Sequence, residues 1–115
     1  MTIQTEIRGQ VLIVRPSGDI NKTAASELHE LLDGAIAEGV TRLVLDFSIL
    51  SHISSDGLRV ILKAIEEVQS RKGQVVLAGM GEQVRGVFDA SGFLGLIREF
   101  ADLDAAVHAT SPATI

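Results

Sequence analysis

The spacing of apolar positions changes repeatedly along the chain, and each change marks the edge of an element. From Thr2 to Arg8, Ile3 and Ile7 stand among polar neighbours, and Val11 to Arg15 is apolar and β-branched. With Gly9-Gln10 between them as a tight turn, the two runs predict an antiparallel hairpin. Pro16-Ser17-Gly18 then breaks the second strand. Ala25, Leu28, Leu32, Ala35 and Ile36 recur at helical spacing, so a first helix is predicted over Lys22 to Glu38. Asn21 is its candidate N-cap, and Gly39 supplies the left-handed residue on which a helix commonly stops.

Arg42 to Phe47 carries the unbroken run Leu43-Val44-Leu45, the pattern of a strand covered on both faces. Ser48 to Ser55 reads as a polar loop with Leu50 and Ile53 embedded. A second helix is predicted from Asp56 to Lys72, with Leu58, Ile61, Leu62, Ile65 and Val68 on its core face and Arg59, Lys63, Glu66, Glu67 and Arg71 opposite. Gln74 to Ala78 repeats the buried-strand pattern. Glu82 to Ala90 predicts a short helix with Val84, Val87 and Phe88 inward, Ile97 to Phe100 a last strand, and Leu103 to His108 a closing helical turn or two. Residues 109–115 are small, contain Pro112 and lack a period, so they are expected to form a mobile tail after a domain spanning 1–108. A hairpin followed by alternating helix and strand implies an α/β fold: one mixed sheet of four or five strands, its helix-linked strands parallel and its helices mainly on one face.

Length allows one domain, since 115 residues leave little beyond a single core. The absence of cysteine removes disulfides, thiolate metal sites and thiol nucleophiles, and it fits a reducing compartment, so a cytoplasmic location is expected. Ten basic against fifteen acidic residues give a formal charge of −5, which repels phosphate backbones and anionic lipid. With no Trp or Tyr there is also no obvious platform for stacking bases, so nucleic acid is not an expected partner. No apolar run approaches the roughly 20 residues of a membrane span, and the start lacks the pattern of a signal peptide.

Candidate catalytic groups are few. His52, Ser54, Ser55 and Asp56 include the side chains of a serine hydrolase, but a triad converges from separate parts of a fold and adjacent residues point apart. His29 and His108 are isolated, so no metal site is expected. Gly79-Met80-Gly81 lacks the lysine of a phosphate loop and the spacing of a dinucleotide fingerprint, and a turn accounts for it. What remains is the junction Ser54-Ser55-Asp56-Gly57-Leu58, where a loop meets an amphipathic helix. Serine there serves as a cap and Asp56 favours the positive end of the helix dipole. The same physics would also receive a phosphate on a serine, because the unpaired amides of a first turn attract anions.

The run Leu43-Val44-Leu45-Asp46-Phe47-Ser48, followed by Ile53-Ser54-Ser55-Asp56-Gly57-Leu58-Arg59-Val60-Ile61-Leu62, resembles the signature of STAS domains, specifically the stand-alone bacterial anti-sigma factor antagonists. Gly18-Asp19-Ile20-Asn21 is similar to the family's Gly-x-Leu-Asp before the first helix, and Val84 to Phe93 is similar to its third helix and following turn. The resemblance implies a STAS-like single domain that is a protein-binding switch rather than an enzyme, with no cofactor and no metal. It implies an anti-sigma factor serine kinase as partner, which phosphorylates the domain from ATP, and a metal-dependent serine phosphatase that reverses the modification.

On this resemblance the phosphoacceptor is Ser55, two residues before Gly57, and its surroundings are Asp19, Asn21, Ser54, Asp56, Gly57 and Leu58. The chain departs from the family pattern in two places: Asn21 replaces an Asp, and Asp56 stands where Ser or Ala is usual. A carboxylate beside the acceptor repels an incoming phosphate, and this leaves Ser54 as an alternative acceptor. The alternative function is a STAS scaffold subunit of a lipid-transport or stress-signalling complex, in which the serine is silent.

Overall fold

The computed structural model describes residues 2–110. Its elements in order are β1 (Ile3–Arg8), β2 (Val11–Pro16), β3 (Gly18–Ile20), α1 (Lys22–Ala37), β4 (Arg42–Asp46), β5 (Leu50–Ile53), α2 (Ser55–Ser70), β6 (Gln74–Ala78), α3 (Glu82–Ala90), a 3-10 turn at Leu94–Leu96, β7 (Arg98–Phe100) and α4 (Leu103–Thr110). β1 and β2 form the expected antiparallel hairpin, and the five-stranded sheet runs β1-β2-β4-β6-β7 with every later pairing parallel.

Alternation along the strands builds two cores, because successive side chains leave a strand on opposite faces. Leu43, Leu45, Val75 and Leu77 join the larger cluster with the buried sides of α1, α2 and α3. Val44, Val76 and Ala78 face the other way with Val11 and Ile13, where Ala106 of α4 covers them. Three helices on one face and a short one on the other is the expected arrangement. No helix among the described residues is long and apolar enough to cross a membrane.

Several expectations need correction. The polar stretch after β4 contains β5, which pairs in parallel with β3 as a separate two-stranded ribbon, Ile20 opposite Ile53. Strands of three and four residues are too short to show a period, and β3 is also interrupted by a register shift. Of the two isoleucines that alternate with polar neighbours in β1, Ile3 packs against the larger core, whereas Ile7 is 74% exposed. On α2 the buried positions are Gly57, Ile61, Ala64, Ile65 and Val68, while Leu58 and Leu62 are only half-buried.

The ends of elements moved by smaller amounts. α2 stops at Ser70, and Lys72 rather than a glycine takes the left-handed conformation, with φ of 61°. Gly73 is reserved for a close approach, since a side chain there would collide with the Thr41 carbonyl and with Val68. α4 continues through Thr110, so Ala109 and Thr110 are helical rather than the start of a tail. Thr110 is buried and its carbonyl accepts a hydrogen bond from Arg42 Nε at 2.6 Å. The remainder of the predicted tail, 111–115, lies outside the described residues.

Candidate functional site

The β3–β5 ribbon is what assembles the site. Because Ile20 and Ile53 are partners in a parallel pair, the residues that follow them, Asn21 and Ser54, leave the ribbon side by side. Each begins a helix. Asn21 caps α1 by accepting from the amide of Ala24 at 2.9 Å, and Ser54 caps α2 by accepting from the amide of Gly57 at 3.1 Å. The two strands are held at this point by the Ser54 amide donating to the Ile20 carbonyl at 2.9 Å. The positive ends of both helix dipoles are thereby brought to one end of the ribbon.

All the residues singled out around the junction belong to this cluster or adjoin it. Asp19 is exposed opposite His52 in the ribbon register. Gly57 is buried in the first turn of α2, packed without a side chain against Ile20 and Ile53. Ser55 is the first residue of α2, exposed, and makes no side-chain hydrogen bond; the cap is Ser54, whose hydroxyl is engaged. The two adjacent serines are thus sorted into a structural one and a free one.

Asp56 is half-exposed and lies 3.7 Å from Arg59, one turn along α2. This neighbour reduces the repulsion that the carboxylate would present to an anion at Ser55. Arg59 also lines an open groove of about 430 Å³ between α1 and α2, together with Lys22, His29 and Asp56. Reasoning from sequence placed Arg59 only on a solvated face. The spacing from Asp56, i to i+3, was the available signal.

A second feature was missed. Leu58 and Leu62, half-buried, line a surface depression with Ser55, Arg59, Lys63 and Glu66, and Phe93 closes it from beyond α3. Phe93 is 37% exposed, which makes it one of the few large apolar side chains at the surface among the described residues. An apolar patch therefore borders the free serine.

Asp46, in the signature run before the site, is a structural residue. Its carboxylate is buried and receives Arg15 Nε at 2.8 Å on one oxygen and the Ser48 amide at 3.0 Å on the other. Burial pushes its pKa up, but the hydrogen bonds from Arg15 and Ser48 outweigh this and hold it below the usual carboxylate value. The pair ties β2 to β4 and shapes the turn that leads into β5. Among the described residues no group of acidic or histidine side chains is placed to hold a metal ion.

The STAS domain profile matches residues 2–106, and the chain belongs to the STAS domain family. A protein of Bordetella bronchiseptica named "Putative anti-sigma factor antagonist BtrV" is 35% identical over 103 residues, 90% of this chain and 89% of that protein. Among solved structures, an anti-sigma factor antagonist from Mycobacterium paratuberculosis superposes with a TM-score of 0.86 at 24% identity, covering 95% of this chain and 92% of that one. The Bacillus cell fate determinant SpoIIAA in its phosphorylated form gives 0.76 at 22% identity, covering 94% and 99%. These two likenesses concern the fold.

Proposed function

We propose that this protein is an anti-sigma factor antagonist, a binding module of the cytoplasm rather than a catalyst. It engages an anti-sigma factor that is also a serine kinase, and phosphorylation of Ser55 releases it. The 35% identity to BtrV over most of both chains supports the antagonist role. The observation that carries the phosphorylation reading is the division of labour at the α2 terminus: Ser54 is committed to the cap, while Ser55 is exposed with its hydroxyl unengaged.

The binding surface consists of the ends of the β3–β5 ribbon, the first turns of α2 and the Leu58, Leu62 and Phe93 patch. The apolar side chains supply the desolvated centre of a contact, and Asp19, Asn21 and Asp56 its polar rim. In the transfer step, Ser55 Oγ attacks the γ-phosphorus of ATP bound to the kinase, the bond to the β,γ-bridging oxygen breaks, and ADP leaves as the serine proton passes to a kinase base. The product carries roughly −1.5 to −2 additional charges beside an apolar contact, and burying that charge against the partner is unfavourable. A metal-dependent phosphatase hydrolyses the ester and restores binding.

The test is to mix the protein with a kinase-type anti-sigma factor from the same genome and follow complex formation before and after adding ATP. A complex that forms without ATP and dissolves as phosphate is incorporated is expected. A protein that neither binds the kinase nor accepts phosphate, yet co-purifies with membrane transporter subunits, contradicts the proposal and favours the scaffold role.

A further inference from the structure

The sheet has two edges, and they differ. β7 is three residues long and α4 follows it directly. β1 is six residues long and pairs with β2 through an unbroken register, with no bulge, no proline and no lysine. Bulges, prolines and unpaired charges are the devices by which natural edges are usually protected from pairing, and the two charges of β1, Glu6 and Arg8, are paired with each other.

The phase of the hairpin fixes which backbone groups of β1 face outward. The Ser17 amide donates to the Thr2 carbonyl at 2.9 Å, so Thr2 belongs to a hydrogen-bonded pair. Alternation then assigns Gln4, Glu6 and Arg8 to hydrogen-bonded pairs with β2, and turns the N–H and C=O groups of Ile3, Thr5 and Ile7 away from it. Among the described residues no strand lies on that side. Ile7, at the end of this row, is the most exposed large apolar side chain described, at 74%.

The strand reads Ile3-Gln4-Thr5-Glu6-Ile7, the same pattern of apolar and polar positions in either direction from Thr5. We propose that β1 is a self-association edge: two copies pair antiparallel about a two-fold axis through Thr5, joining their sheets into one. In that register Thr5 faces Thr5 of the second copy, and Ile3 faces Ile7 in both halves. Every outward-facing backbone group of Ile3, Thr5 and Ile7 then has a partner. Each Ile7 is covered by an Ile3, a favourable cross-strand pair.

The polar row is complementary as well. Gln4 lies opposite Glu6 of the second copy. Gln4 Oε1 already accepts from Arg15 at 3.3 Å, which leaves its amide hydrogens free to donate to that carboxylate. No like charges meet directly, and each Glu6 stays paired with its own Arg8 at 2.5 Å. Because the contact is isologous it closes as a dimer, whereas pairing β1 with β7 of another copy would run on as an open filament. The contact uses elements other than the α2 terminus, so it stands independently of the proposed phosphorylation.

Sedimentation velocity over a range of concentrations, from micromolar to near-millimolar, tests this on the intact chain. The parent protein should pass reversibly from monomer to dimer. Ile7→Lys removes both Ile3–Ile7 pairs at an exposed position, and should weaken the dimer by about tenfold or more. Thr5→Lys, which sets two charges on the axis, should abolish the dimer, with circular dichroism showing both variants folded. Since the chain has no cysteine, Thr5→Cys gives a single thiol whose α-carbon would lie about 5.5 Å from its mate, within disulfide range. It should cross-link under mild oxidation, whereas Ser70→Cys should not. A parent that remains monomeric throughout, or a dimer indifferent to both lysine variants, overturns the proposal.

Discussion

The α-carbon of Gly57 lies against Ile20, so that a methyl group added there would stand 2.6 Å from Ile20 Cγ2 and 3.0 Å from Ile53 Cγ1. The first turn of α2 therefore rests directly on the end of the β3–β5 ribbon, and this contact fixes where the neighbouring serines emerge. Ile20 is fully buried and branched, so it has little freedom to move aside. Gly57→Ala is expected to cost about 1–3 kcal/mol by overpacking, read as a lower denaturant midpoint with an unchanged slope. An unchanged midpoint would show that the turn can lift from the ribbon freely.

The two serines should separate in stability measurements. Ser54→Ala removes the cap and should destabilise by about 0.5–2 kcal/mol. Ser55→Ala, at an exposed first-turn position with no side-chain hydrogen bond, should stay within about 0.5 kcal/mol of the parent. Equal losses at both positions in a thermal melt would contradict the assignment of the cap.

Along α2, Ile61 and Leu62 are neighbours in sequence but differ in role. Ile61 has no exposed surface, and Ile61→Ala should cost on the order of 2–5 kcal/mol by leaving a cavity. Leu62 is half-buried in the surface patch, so Leu62→Ala should cost less than half as much in denaturation. It should also weaken binding to the anti-sigma factor, as should Phe93→Ala, in a calorimetric titration of the folded variants.

The Asp46–Arg15 pair makes stability depend on acid. Since the folded carboxyl titrates below its ordinary value of 3.8, the folded state binds fewer protons than the unfolded chain in that range. The contribution is fully present above the unfolded value and is lost as the pH falls through the folded one. Asp46→Asn should remove about 1.5–3 kcal/mol at neutral pH, the value of a hydrogen bond to a charged partner, and flatten the acid limb of the stability profile below about pH 4. An acid limb identical to the parent's would show that other carboxylates govern it.

Long, strongly periodic segments were legible in the sequence: β4, β6 and α1–α3 fall where their apolar spacing puts them, because burial on both faces or along one stripe dictates that spacing. The cap of α1 at Asn21 was legible too, since its chemistry is local. The β3–β5 ribbon was not, because its partners lie some thirty residues apart and each strand is too short to carry a pattern. On α2 the core stripe was placed off centre. Gly57 and Ala64, being small, contribute little to a count of apolar residues, yet they mark the side where the backbone approaches most closely. The large residues Leu58 and Leu62 pulled the expected stripe toward themselves and hid the patch they form with Phe93.

Which serine receives phosphate tests the account most directly. The parent, Ser54→Ala and Ser55→Ala proteins should each be incubated with the kinase-type anti-sigma factor and ATP, at a temperature where all three are folded, and the phosphate located by mass spectrometry. Phosphate on Ser55 in the parent and in Ser54→Ala, with none on Ser55→Ala, is the expected result. Incorporation into Ser55→Ala at the parent's rate, with none into Ser54→Ala, would contradict the assignment and with it the reading of Ser55 as the free, switching hydroxyl.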